Sequence, residues 1–373
     1  MNMSLTKTIR NITLRTSVLY ALAGFLTVSC SDDTENITSD SEMMFSTTNN
    51  DWASGQTKPK VEYGEVIKLE SESGSPLYFR AVSTDRPDVA FSPEASTRGP
   101  LVKKENMYES FQVSAYRYIG AWSNTLTLNY IYNETITKDI TSGSYKPAGG
   151  RRYYWPGSSY NMRFFAHAPN LDATVLSISP KEQQGSVILT YTTPQSINSH
   201  KDLLVAVSDE VPGNYNRPVP LRFKHVFTAL RVVARNMRPG IVKSISIAGV
   251  FPKRRYDMAA NDWMQFTREE YKMYAQAVYT LNLNVAITGE KDQPITDENN
   301  MMFFIPQPLP RNDVAEMRIV YQPTGGQEQT LVAKLLNKTP NWEKGKVITF
   351  YISTSDNISI DTDLGDFGDG GDL

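Results

Sequence analysis

The chain has 373 residues, with 38 Lys and Arg against 40 Asp and Glu, which gives a net charge of -2 at pH 7. This mildly acidic balance disfavours nucleic acid as a partner. With a single cysteine the chain cannot form an internal disulfide, so hydrophobic cores must stabilise it, and the length suggests two of them.

The N-terminal residues 1–29 have the pattern of a signal peptide. Lys7, Arg10 and Arg15 precede an apolar run of eleven residues, 18–28. This run is too short to span the roughly 30 Å of a bilayer's hydrocarbon core. No later apolar stretch reaches 18 residues. We therefore expect the rest of the chain not to be inserted in a membrane.

The end of this leader resembles a lipobox, with small Ser29 directly before Cys30. Leu26 lies four residues before the cysteine, whereas a lipobox places it three before. We predict lipidation at Cys30, since two or three acyl chains anchor a protein stably in a membrane. The alternatives are an ordinary secretory signal and a buried structural thiol.

Acidic residues follow the cysteine at once. Ser31, Asp32 and Asp33 resemble the signal that sends lipoproteins of some Gram-negative anaerobes across the outer membrane. They predict a lipoprotein exposed at the outer surface of the outer membrane.

Residues 30–60 are polar and lack a sustained apolar period, which predicts a flexible tether. Short runs of alternating apolar residues then predict strands, and together they form a first domain over residues 61–215. The predicted strands are 61–69, 76–82, 110–118, 126–136, 160–168, 187–191 and 202–207.

A proline-rich loop at 211–218 marks the predicted domain boundary, and a second set of strands fills residues 216–360. These strands are predicted at 219–227, 229–235, 242–250, 279–287, 301–305, 316–321, 331–335 and 347–352, with one short helix at 268–277. The spacing is typical of two antiparallel β-sandwiches, so the predicted fold class is mostly β. The acidic tail, 361–373, lacks the spacing of a calcium-binding loop and is predicted to be a solvated end.

Five segments, in order along the chain, resemble the fimbrillin-like family of pilins and surface lipoproteins from gut and oral Gram-negative anaerobes. They are YWPG at 154–157 leading into FFAHAP at 164–169, DLLVA at 202–206, VPLRFKH at 219–225, FIPQ at 304–307 and WEKG at 342–345. Each segment is weakly specific alone, but the ordered set covers most of the chain after the leader.

The resemblance implies two tandem transthyretin-like sandwiches and a fimbrial subunit that assembles with other pilus subunits by donor-strand exchange. In such pili a strand from one subunit fills an open groove in a sheet of its neighbour. In stalk members a protease first removes the N-terminal strand after an arginine. Arg80, Arg86 and Arg98 are the candidates here, and all three could equally be ordinary surface arginines, because anchor members are not processed.

We expect no enzyme, cofactor or metal site. The histidines, His167, His200 and His225, form no metal-ligand motif, and no nucleophile motif occurs. His225 lies in an alternating apolar strand and is predicted to be a hydrogen-bonded core residue. Glu269 and Glu270 could form a glycosidase pair only if a cleft placed them at the required separation.

The alternative function is a surface glycan-binding lipoprotein of a nutrient-uptake system, whose exposed tryptophans would stack on sugars. The candidates are Trp52, Trp122, Trp155, Trp263 and Trp342. Of these, Trp155 and Trp342 lie in the family segments and are expected to be structural. The host or bacterial surface ligand is left open by the sequence.

Overall fold

The computed structural model describes residues 41–49, 60–69, 76–85, 107–273, 277–297, 300–310, 313–356 and 358. Within these ranges the protein consists of strands, with short turns, one four-residue α-helix and two three-residue 3-10 helices, Ala148–Gly150 and Ile197–Ser199. The fold is therefore mostly β, as predicted.

The strands up to the predicted domain boundary are as follows: β1 Phe45–Asn49, β2 Val61–Tyr63, β3 Ile67–Lys68, β4 Tyr78–Thr84, β5 Ser110–Tyr118, β6 Ile131–Lys138, β7 Tyr145–Pro147, β8 Asn161–Ala168, β9 Leu176–Ile178, β10 Ile188–Thr192, β11 Leu204–Val207 and β12 Val211–Pro212.

The later elements are β13 Val219–His225, β14 Thr228–Arg235, β15 Gly240–Ala248, β16 Lys253–Asp257, β17 Asp262–Trp263, α1 Arg268–Tyr271, β18 Val278–Ile287, β19 Gln293–Pro294, β20 Met302–Phe304, β21 Glu316–Pro323, β22 Gln329–Lys334 and β23 Lys346–Ser353. Helix α1 is shorter than predicted. Thr267 begins it with a capping box to Glu270.

One sheet closes on itself, and we call it the closed sheet. Its strand order is β13-β1-β7-β6-β5-β8-β11, and β11 pairs with both β8 and β13. The strand β12 pairs with the N-terminal part of β8. Alternation along the strands sends Phe111 and Val113 of β5 into the interior of this sheet, together with Phe164, Leu221 and Phe223.

A second sheet, which we call the mixed sheet, has the order β19-β14-β23-β4-β2, with β20 beside β14 and β3 beside β4. Strands β14 and β23 run parallel, and all eight residues of β14 are buried. The inner face of the mixed sheet packs against the sheet β18-β15-β21-β22, so that Phe79, Val232 and Phe350 share a core with Ile245 and Ile319. Two sheets packed face to face over one core form a β-sandwich.

A fourth sheet, β17-β16-β10-β9, lies against the outer face of the closed sheet. Leu189 and Tyr191 of β10 and Tyr256 of β16 pack in one core with Tyr116 and Phe165 of the closed sheet. This third core also contains Phe227, Phe303 and Val347, so it reaches the mixed sheet.

The structure differs from the predicted tether at residues 45–49, which form strand β1. Met43 and Phe45 are fully buried, and alternation with exposed Ser46 is the pattern of a strand. Only two large apolar residues carry this pattern within a polar stretch, which is why composition alone indicated a tether.

Strands from both sides of the predicted boundary at residue 216 share sheets. Strand β13 pairs with β1 and β11, and β4 pairs with β23. The described residues from Ser41 onward accordingly form one compact unit. The division into tandem transthyretin-like domains at residue 216 stays a prediction.

Candidate functional site

Strand β1 lies between β13 and β7 in the closed sheet, and its backbone pairing on the two sides is unequal. It pairs in parallel with β13 over five positions, from Phe45 opposite Val219 to Asn49 opposite Phe223. On its other side a single position, Phe45 opposite Tyr145, pairs with β7. A cavity of about 820 Å³ opens along this side and is lined by Phe45, Ser46 and Thr47 of β1 among others.

The side chain of Phe45 fills the middle of the closed sheet's core. Its ring makes edge contacts with Phe111, at 6.3 Å between centroids, and with Phe164, at 5.7 Å. Complete burial of such a ring is worth several kcal/mol. The strand is therefore held mainly by one ladder and one deeply inserted side chain.

Strand β4 has a partner along each side. It pairs antiparallel with β23 over seven positions, and with β2 and β3 on the opposite side. Phe79 and Ala81 point into the core, where Phe79 stacks on Phe350 at 5.2 Å between centroids. Removal of β4 would open a groove in the mixed sheet beside β23.

Arg80 is the one candidate cleavage residue that the structure describes, and it lies in the middle of β4. Its Nε donates to the carbonyl oxygen of Gly64 at 3.1 Å, and its Nη1 donates to the carbonyl oxygen of Ile358 at 2.7 Å. The guanidinium also lies 4.8 Å from the ring centroid of Tyr63. A protease needs an accessible, unpaired backbone, so the position of Arg80 disfavours cleavage there.

The remaining predicted site residues lie outside the described residues. They are Cys30, Ser31, Asp32, Asp33, Arg86 and Arg98. Lipidation, the export signal and cleavage after an arginine therefore stay predictions.

All three histidines are buried in the core. Nδ1 of His225 lies 2.8 Å from Oδ2 of Asp202, which confirms the prediction of a hydrogen-bonded core histidine. Burial lowers the pKa of His167 to about 4, and it lowers the pKa of His200 to about 4 as well. Both pKa directions follow from the cost of placing a charged imidazole away from water.

The described tryptophans lack the widely exposed rings that the alternative function requires. Trp155, Trp263 and Trp342 are buried, and Trp52 lies outside the described residues. Trp122 is half-buried, and the rings of Tyr116, Tyr118 and Phe165 contact its indole, as does the guanidinium of Arg163.

In the part of the chain that the structure describes, no group of three or more His, Cys, Asp or Glu residues could hold a metal ion. Among the same residues no helix has the length and apolar character needed to cross a membrane.

A family model described as fimbrillin-like matches residues 104–364. The chain belongs to the fimbrillin-like family. Membership supports a fimbrial or adhesin-like role at the cell surface, in association with other pilus subunits. The match begins after β4, so the strands β1 to β4 of this fimbrillin-like protein lie outside the matched range.

Three solved structures are similar to this fimbrillin-like protein at low identity. A fimbrial protein from Bacteroides vulgatus is 18% identical, with a TM-score of 0.47, over 65% of this chain and 88% of that one. A candidate cell adhesion protein from Bacteroides uniformis is 15% identical, with a TM-score of 0.42, over 66% and 86%. A candidate cell adhesion protein from Bacteroides ovatus is 13% identical, with a TM-score of 0.43, over 67% and 83%. The comparison with curated proteins found no match.

The sequence missed β1 as an element of this site. The sequence carries little signal here, because Met44 between Met43 and Phe45 is also apolar and the residues after Phe45 are polar, so no apolar alternation marks a strand. Pairing with β13, some 175 residues later, provides the missing stabilisation.

Proposed function

We propose that this fimbrillin-like protein is a fimbrial subunit that assembles by donor-strand exchange. The observation that carries the proposal is that β1 and β4, which both precede Arg86 and Arg98, fill positions in two different sheets. Phe45 and Phe79 are fully buried in those positions. Loss of the segment would leave two open ladders and two empty apolar sites for a strand of a neighbouring subunit.

Cleavage after Arg98 is the form of processing that we favour among the three candidates. Arg80 lies within a paired strand, and Arg86 precedes Pro87, so the bond after it is a tertiary amide without an N–H. Cleavage after Arg98 would break the covalent link to all four N-terminal strands, so that they can be displaced together with Cys30 and its lipid.

The test is digestion of the purified protein with an arginine-specific protease, followed by terminal sequencing and light scattering. We expect a product that begins at Gly99 and forms oligomers, whereas the Arg98→Gln variant stays uncut at this bond and monomeric. If the wild-type product begins at Gly99 but stays monomeric with its fragment removed, strand exchange is contradicted. Absence of any cut near Arg98 would contradict processing and favour a permanently anchored subunit.

We further propose that the protein reaches the outer face of the outer membrane as a lipoprotein modified at Cys30, with Ser31, Asp32 and Asp33 as the export signal. Mass spectrometry of the membrane-associated protein should find acyl chains on Cys30. A Cys30→Ser variant should lose them and leave the membrane fraction. Protease accessibility on intact cells should fall when Asp32 and Asp33 are both changed to Asn.

The proposed role is binding and assembly, without catalysis. The alternative of a glycan-binding lipoprotein in nutrient uptake receives no support from the described tryptophans, since three are buried and the fourth, Trp122, is half-buried against three aromatic rings and Arg163. Incorporation into a polymer would distinguish the two functions.

A further inference from the structure

A second cavity, of about 840 Å³, lies between the fourth sheet and the closed sheet, well inside the size range of small-molecule sites. Three of its lining residues are neighbours on adjacent strands of the fourth sheet. Thr190 of β10 is paired with Ser177 of β9 on one side and with Arg255 of β16 on the other. Trp122 and Arg163 line it from the closed sheet. We call it the Arg163 cavity.

Arg163 is held in place without an ion pair. Its guanidinium carbon lies 5.0 Å from the ring centroid of Trp122 and 5.4 Å from that of Phe165. No carboxylate of the described residues lies within ion-pair distance of it, whereas Arg255 lies 3.4 Å from Glu270. The ring of Trp122 thus stabilises the guanidinium of Arg163 through a cation–π contact. The N–H groups at the edge of the guanidinium can still bind an anion.

The guanidinium of Arg163, which has no ion-pair partner among the described residues, favours an anionic group in the ligand. Among the charged lining residues Arg255 is already paired with Glu270, which leaves Arg163 and the one lining carboxylate, Asp257. The Asp257 carboxylate also accepts a hydrogen bond from the backbone N–H of Ala260 at 3.0 Å. A planar guanidinium binds a carboxylate through two parallel hydrogen bonds, which makes a carboxylate the matching group.

The neutral part of the lining favours a ligand rich in hydroxyl groups. Five polar side chains that line the cavity form no hydrogen bond with other described residues: Asn124, Ser177, Gln183, Gln184 and Thr190. Amides and hydroxyls both donate and accept, as sugar hydroxyls do. Such groups arranged around a guanidinium without an ion-pair partner suit a sugar that carries a carboxylate.

We propose that the Arg163 cavity is a binding site for an acidic sugar, with Arg163 as the carboxylate anchor and Thr190 among the hydroxyl contacts. This proposal rests on the adhesin-like role, since it names the chemical class of the receptor. It does not depend on polymerisation, because the cavity is complete within one chain. An experiment can therefore contradict ligand binding by the monomer without contradicting assembly of a polymer, and the reverse also holds.

The experiment is calorimetry on the purified chain from Ser31 onward, with two matched pairs of probes. These are 3′-sialyllactose against lactose, and glucuronic acid against glucose. We expect saturable binding of an acidic probe and at least tenfold weaker binding of its neutral counterpart. A charge-assisted hydrogen bond contributes enough for a difference of roughly this size.

Two variants locate the site, and a third serves as a control. Arg163→Gln should weaken binding of the acidic probe about tenfold or more, and Thr190→Val by about fivefold. Arg222→Gln, at an exposed arginine of β13 outside the cavity, should leave affinity unchanged. Thermal unfolding checks that each variant folds. If loss of Arg163 disturbs the packing of Trp122, the affinity of the Thr190→Val variant still tests whether the probe binds in this cavity.

The proposal is overturned if neither acidic probe binds, or if acidic and neutral probes bind equally. It is also overturned if the folded Arg163→Gln and Thr190→Val variants both retain wild-type affinity.

Discussion

At the scale of single residues, burial of polar groups decides the chemistry of the core. His167 and His200 lie away from water, so burial lowers the pKa of both. His200 is tied to its surroundings on both sides, because Nε2 lies 2.8 Å from the carbonyl oxygen of Pro194 and Nδ1 accepts from the N–H of Phe303 at 3.1 Å. These contacts suit a neutral ring with one donor and one acceptor nitrogen.

The lowered pKa values predict that stability falls in mild acid. In the unfolded chain a histidine takes up a proton near pH 6.5, whereas in the folded protein His167 and His200 do so only near pH 4. The unfolded state therefore binds more protons between these values, and the free energy of unfolding decreases as the pH falls through the window. Above pH 6.5 these two residues add no pH dependence.

Urea unfolding at pH 7.5, 6 and 5 would measure this decrease. A His167→Gln variant should show a weaker pH dependence than the wild type over the same range. An unchanged slope in that variant would contradict the role of His167.

Phe45 is the residue on which β1 depends most. Replacement by Ala should lower the free energy of unfolding by about 3–5 kcal/mol, because a fully buried aromatic ring leaves a cavity. Ser46→Ala, at the exposed neighbouring position, should change it by less than about 0.5 kcal/mol. Chemical unfolding of both variants is the measurement. Equal effects would indicate that residues 45–49 act as a tether after all.

At the scale of elements, the sequence pattern locates strands well where one face is buried. Strand β5 has the predicted bounds, 110–118, and β8 begins one residue later than predicted. Strand β16 was missed because Lys253, Arg254 and Arg255 in succession hide the alternation. The polar face of β16 is nevertheless what lines the Arg163 cavity, so the missed strand is part of the proposed ligand site.

The pairing of β4 predicts that the bond after Arg80 is protected in the folded protein. Strand β4 is flanked by β23 on one side and by β2 and β3 on the other, so the bond can be cut only after these ladders open. Limited proteolysis with an arginine-specific protease should yield no early product that begins at Ala81. Such a product should appear once urea approaches the unfolding midpoint. Its early appearance in buffer alone would show that β4 opens locally.

At the scale of the whole molecule, the N-terminal segment joins two sheets that are otherwise built from later residues. Strand β1 lies beside β13 in the closed sheet, and β4 lies beside β23 in the mixed sheet. A cut after Arg98 leaves these ladders intact, so the fragment remains bound until it is displaced.

This geometry predicts that the cut protein behaves as a noncovalent complex. Its thermal midpoint should rise with protein concentration, since dissociation of the fragment accompanies unfolding, whereas the midpoint of the uncut protein should not depend on concentration. Scanning calorimetry at several concentrations tests this, with the uncut Arg98→Gln variant treated identically as the control. A concentration-independent midpoint of the cut protein would show that the fragment contributes no stability.

The sequence by itself determined the fold class, most strand positions and the family, because alternation of apolar residues and short motifs are local properties. It could not assign partners to the strands, because pairing depends on contacts between residues far apart in the chain.

The role of residues 45–49 was decided only by tertiary structure. Phe45 is the one large apolar side chain among them, and they form a strand because β13 provides a ladder and the closed sheet provides a core. The Arg163 cavity likewise exists only in three dimensions. Arg163 and Trp122 come from the closed sheet, and Thr190 and Arg255 from the fourth sheet, so no local pattern relates them.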